Sequence, residues 1–138
     1  MNGLTHEECL LQLPFEANCL NWVLGHIVVN RSHCLEALDV AHSWREEVRA
    51  LYHTGKPPIK PADRALRLET LMADLDESLH LLQPALENMS LETLNEPFRN
   101  YRGEKTRQGH LAGFHWHEAY HIGQIEVLRA LALSSRKN

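Results

Sequence analysis

Two histidines four residues apart, His117 and His121, sit inside the apolar stripe of a long helical segment, and this placement constrains the chain more than any other feature. Leu111, Phe114, His117, His121, Ile125, Leu128 and Ala132 follow one another at steps of three and four. That period predicts one amphipathic helix with both imidazoles on its core face. Side chains four apart on a helix lie one turn from each other, close enough for two imidazoles to share a metal ion. A bare imidazole is costly to bury. Two core histidines bonded to carbonyls or carboxylates would also meet that cost.

His117-Glu118-Ala119-Tyr120-His121 also has the form His-Glu-x-x-His, in which a zinc protease uses the glutamate to activate water. The context opposes that reading. Only residues 122–138 remain to supply a third ligand, and Gln124 and Val127 stand where the long form of the motif requires Gly and His. No strand pattern upstream offers an edge to an extended peptide.

The length of 138 residues predicts a single domain, 1–138, large enough for a real core. A net charge of −4 with no Lys/Arg cluster argues against nucleic acid or an anionic membrane as partner. No stretch approaches the ~20 apolar residues of a membrane span. The opening residues lack the basic and apolar regions of a secretory leader. Cys9, Cys19 and Cys34 are odd in number and form no Cys-x-x-Cys, which fits reduced thiols in a cytoplasm.

Thr5-His6-Glu7-Glu8 has the form of a capping box and predicts a short helix ending before Pro14. A long helix is expected from about Asn18, with helical period from Leu20 through Leu38 and Ala41 toward Tyr52, closed by Gly55-Lys56-Pro57-Pro58. Lys60-Pro61 opens the next helix. Its stripe is Leu68, Leu71, Leu75, Leu79 and Leu82, with Asp63, Arg64 and Arg67 on the wet side and Pro84 near its end. Residues 83–107 read as a connector with one helical turn at Leu91 to Leu94. Thr106 or Gln108 starts the last helix, which runs to about Leu133, and Ser134 to Asn138 is a polar tail.

Two histidines rarely hold a metal alone, so further ligands are expected on another helix. His26 is the leading candidate. It lies in Trp22-Val23-Leu24-Gly25-His26, where a mid-helix glycine costs ~1 kcal/mol relative to alanine and so signals close packing. His33, two turns on, is the runner-up, and His110 is a candidate pocket residue. His42, His53, His80 and His115 read as surface or rim positions.

Trp22-Val23-Leu24-Gly25-His26 early and His117-Glu118-Ala119-Tyr120-His121-Ile122-Gly123-Gln124 late, in this order, resemble the DinB/YfiT-like superfamily of metalloenzymes, and the likeness spans most of the chain. The resemblance implies an all-α four-helix bundle with His26, His117 and His121 around one divalent ion (Zn, Ni or Fe). It also implies thiol-dependent transferase or isomerase chemistry on a small-molecule substrate, with a low-molecular-weight thiol as cosubstrate. A non-catalytic metal- or ligand-binding domain is the alternative. An open site of three imidazoles would suit catalysis, because water, thiol or substrate takes the free positions. Glu118, Tyr120, Gln124 and Asn30 stand next to the ligands as candidate orienting or pocket groups.

One departure from the family stands out. The first helix is short or missing in this chain, which offers only Thr5 to Leu13 ahead of the Trp-x-x-Gly-His helix. An uncovered groove is therefore expected, closed either by a helix upstream of this start or by a second copy in a homodimer.

Overall fold

The computed structural model describes residues 3–61 and 64–137, so Asp63 and Asn138 lie outside the described residues. The capping box forms as expected: the Thr5 side chain accepts from the Glu8 N–H, and the Glu8 carboxylate accepts from the Thr5 N–H at 2.7 Å. The helix that it starts, α1 (His6–Cys9), is a single turn and stops at Leu10, short of the expected Leu13.

The next helix, α2 (Leu20–Ala37), is the centre of the molecule. Every residue from Leu20 to Asn30 is buried. Its flanks are covered by α4 (Leu68–Asn88) and α6 (Arg107–Ser134), and α3 (Glu46–Tyr52) and α1 cover what remains. The helix does not run on to Tyr52. It ends in a Schellman turn: Asp39 takes φ 57°, the Val40 N–H returns to the Leu35 carbonyl at 2.9 Å, and the Asp39 N–H returns to Glu36 at 3.2 Å. Glycine is the usual residue there, but Asp tolerates the left-handed region, so the stop carries no glycine signal. Arg107, at the start of α6, donates to the Ala37 carbonyl at 2.7 Å and pairs with Asp39 at 2.9 Å, fastening this helix end.

The break turns the chain back, so that α3 lies along α2 and delivers Tyr52 to it. The Tyr52 hydroxyl donates to Asn21 Oδ1 at 3.0 Å and accepts the Leu66 N–H at 2.8 Å, while Asn21 Nδ2 donates to the Leu66 carbonyl. Those bonds keep Leu66 outside a helix, which is why α4 begins at Leu68 instead of near Pro61. Pro84 does not end α4, which continues to Asn88. It sits on the exposed side, where the carbonyl it leaves without a helical partner can meet water.

The connector holds the expected turn, α5 (Leu91–Leu94), and an unexpected antiparallel hairpin, β1 (Pro97–Asn100) with β2 (Gly103–Thr106), in which Asn100 faces Gly103. Four-residue strands carry too little alternation to be read from sequence. The hairpin closes over Tyr101-Arg102, with Gly103 at φ +94° supplying the left-handed residue. Thr106 then caps α6 by accepting the Gly109 N–H at 3.1 Å. The fold is all-α with this small hairpin as an appendage.

α4 and α6 lie on two flanks of α2, and a groove of about 370 Å³ remains between them, lined by Asn30, Leu82, Leu86, Leu111 and Phe114 among others. The first half of the α4 stripe is covered, with Leu68 and Leu71 buried, whereas Leu79 and Leu86 are exposed. No helix among the described residues is long and apolar enough to cross a membrane.

Candidate metal centre

Three imidazoles from two helices meet at one point. The α6 helix presents His117 and His121 one turn apart, and the packing of α6 on α2 sets His26 against both. The Nε2 atom of His117 lies 3.0 Å from Nε2 of His26 and 3.0 Å from Nε2 of His121. One ligand atom from each of the three falls within 4.8 Å of the others. Nitrogens bound to one ion at ~2.1 Å stand about 3.0–3.4 Å apart, so the two His117 spacings suit a shared cation, which would draw His26 and His121 toward each other.

The hydrogen bonds on the far sides of the rings define what faces inward. His26 Nδ1–H donates to the Tyr52 carbonyl at 2.7 Å, and His121 Nδ1–H donates to Gln124 Oε1 at 2.7 Å. Both rings then point bare Nε2 lone pairs at His117, whose own Nε2 has at most one proton for the two. Three nitrogens turned together, with no carbonyl or carboxylate between them, make a poor hydrogen-bond network and a good ligand set. Gln124 is oriented in turn by donating to the Tyr120 hydroxyl at 3.1 Å. Trp22 stacks on His26 with centroids 4.6 Å apart and holds the plane of the ring.

Burial keeps all three imidazoles neutral. It pulls His26 down to about 4, with the positive forms of His121 and His117 working in the same direction against the bond to Tyr52. Burial also lowers His117, aided by His121 and Arg102, and lowers His121 against the opposing effects of Gln124 and Glu118. Neutral imidazole is the form that binds a metal.

The remaining histidines lie elsewhere. His33 pairs with Glu36 at 2.8 Å and meets Arg49 at 3.1 Å, away from the cluster. His110 is buried under the hairpin, His115 and His80 are exposed, and His42 stacks on Trp44. His53, read as a rim residue, packs edge-on to Tyr101 at 5.0 Å, and its positive form would add to the depression of His26. Glu118 does not face the cluster: both of its oxygens go to Arg31 of α2, at 3.0 and 2.5 Å. Asn30 is buried, donates to the His26 carbonyl at 2.9 Å, and leaves its Oδ1 without a partner.

Sequence reasoning missed Tyr52, whose carbonyl sets the His26 tautomer. The signal was Gly25. A Cβ there would fall 2.2 Å from the Tyr52 ring, so only glycine lets that residue reach His26. Arg102 was missed too, since nothing local to the sequence ties the hairpin tip to α6.

No curated protein matches the sequence. The family model of the DinB superfamily matches residues 1–125, a span that includes α2 and all three clustered histidines, and the chain belongs to that superfamily.

Proposed function

We propose that this chain is a metal-dependent enzyme in which His26, His117 and His121 hold one divalent ion, zinc, nickel or iron(II). The inferred reaction is a transferase or isomerase step on a small molecule with a low-molecular-weight thiol as cosubstrate. The convergence of three Nε2 atoms, two of them stripped of protons by Tyr52 and Gln124, carries this reading. A divalent ion bound there would supply acidity, lowering the pKa of a coordinated thiol or water. The chain's own residues orient the imidazoles and keep them neutral, and the partial exposure of His117 leaves the cluster approachable from solvent.

The cysteines support an external thiol. Burial pushes Cys34 up to about 12 and Cys9 up to about 11, and raises Cys19 as well, so none is a ready nucleophile at neutral pH. All three are free, which supports a reducing, cytoplasmic setting. The exposed apolar residues Leu79 and Leu86 on α4, with Trp116 (72% exposed) and Val127 (69%) on α6, support a second copy of the chain as partner.

Elemental analysis of the purified protein and of His26→Ala, His117→Ala and His121→Ala tests the centre. Near-stoichiometric metal lost in each variant is expected, and full occupancy in His26→Ala would remove the α2 ligand. A screen for thiol-adduct formation with and without chelator tests the chemistry. Metal binding without any chelator-sensitive turnover would favour a non-catalytic binding domain.

A further inference from the structure

The tip of the hairpin carries an arginine that the fold holds beside the histidine cluster without giving it an acid. The Arg102 N–H donates to Asn100 Oδ1 at 2.8 Å, and Asn100 Nδ2 donates to His110 Nδ1 at 3.1 Å. His110 Nε2–H donates to the Phe98 carbonyl at 3.0 Å. A fully buried histidine of α6 thus holds β1 at two points, and through Asn100 it fixes where the tip sits along the helix.

The guanidinium that results lies against α6, over the Phe114 ring. Its centre is 4.3 Å from the Phe114 ring centroid, and Nε donates to the Tyr101 hydroxyl at 3.1 Å. Nη1 rests over Gly113, at 3.8 Å from where a Cβ would be. Gly113 and His117 are four apart on α6, so they share a face one turn, ~5.4 Å, from each other. The Arg102 charge is among the causes that lower His117.

Arg31, Arg49, Arg107 and Arg136 each meet a carboxylate. Among the described residues Arg102 meets none, and its partners are a phenol and two aromatic faces. A guanidinium steadied by stacking, with donors left over, is suited to receive a carboxylate in a forked pair. We infer that Arg102 is the specificity residue of the histidine centre and receives a carboxylate on the small molecule bound there, about one helical turn from the atom that meets the metal.

The inference rests on the metal-centre reading, and the test separates the two. The protein is loaded with Co2+, and the change in its visible spectrum follows the binding of mercaptobutanoate and of its neutral counterpart mercaptobutanol. A second arm adds butyrate to protein already holding mercaptobutanol. The wild type should prefer mercaptobutanoate by roughly tenfold or more, the scale of a charge-assisted pair. Arg102→Gln should abolish the preference and leave mercaptobutanol binding unchanged, and Arg102→Lys should restore part of it. Preference in the first arm assigns the carboxylate to the thiol. Arg102-dependent butyrate binding in the second arm alone assigns it to the other substrate. Cobalt bound normally with neither effect dependent on Arg102 overturns the inference and leaves the metal centre standing, whereas failure of Co2+ to bind the wild type overturns both.

Discussion

Replacing Gly25 by alanine should damage the core and the histidine cluster together, although alanine is the better helix former. The new Cβ would lie 2.2 Å from Tyr52 Cδ1 and 2.5 Å from two neighbouring ring atoms. Reaching ordinary contact at 3.4 Å or more requires the ring to retreat by over about 1 Å. Tyr52 is fully buried and cannot retreat freely, because its hydroxyl is held by Asn21 and Leu66 and its carbonyl by His26. Overpacking costs about 1–3 kcal/mol, and each buried hydrogen bond broken costs about 1–3 kcal/mol. The gain in helix propensity offsets ~1 kcal/mol. With one such bond broken, a net loss of about 1–5 kcal/mol follows, whose middle corresponds to roughly 10 °C in Tm for a chain of this size. Urea unfolding of the metal-free protein reads the stability. A metal titration should show affinity reduced by about 10–100-fold, the usual effect of losing a group that orients a ligand imidazole. Gly123→Ala is the control, since a Cβ there meets nothing within 4 Å, and it should be neutral or slightly stabilising. A Gly25→Ala protein as stable as wild type with unchanged metal affinity would refute the reasoning.

Acid should weaken the metal-free protein and empty the centre. His26 falls from the usual 6.5 to about 4 on folding, so below 6.5 the unfolded chain takes up a proton that the folded one refuses. Stability present above that pH is lost as it falls toward about 4, by up to roughly 3 kcal/mol. Denaturant midpoints and metal content measured across this window check it, with a shallower slope expected in His26→Gln; flat curves down to pH 4 would contradict imidazole ligation. Glu118→Gln should keep the metal and lose about 1–3 kcal/mol of stability by leaving Arg31 half-satisfied between α2 and α6, as unfolding of the loaded variant would report. Loss of metal with stability intact would place Glu118 at the centre instead. Light scattering should report a dimer, because Trp116 and Val127 present apolar surface on one helix. A monodisperse monomer that binds no apolar dye would show that α3 and the segment around Ile59 and Leu66 suffice to close the bundle.

The histidine pair, the ends of α6 and the α1 cap could be read along the chain because each rests on neighbours three or four residues away. Such contacts are written in local order: Thr5 with Glu8, Thr106 with Gly109, His117 with His121. His26 was reached through Trp22 and Gly25 on its own helix, one turn away or adjacent. What only the tertiary structure decided depends on groups far apart in sequence. Asp39 ends α2 without glycine because Arg107, from another helix, satisfies the Ala37 carbonyl and the acid. Leu66 stays out of α4 because Tyr52 and Asn21 occupy its backbone groups. The inward lone pair of His26 is set by a carbonyl 26 residues away, and the placement of Arg102 by His110 beneath the hairpin. Local order therefore specified which imidazoles could meet, while long-range hydrogen bonds decided which nitrogen each presents and what stands beside them.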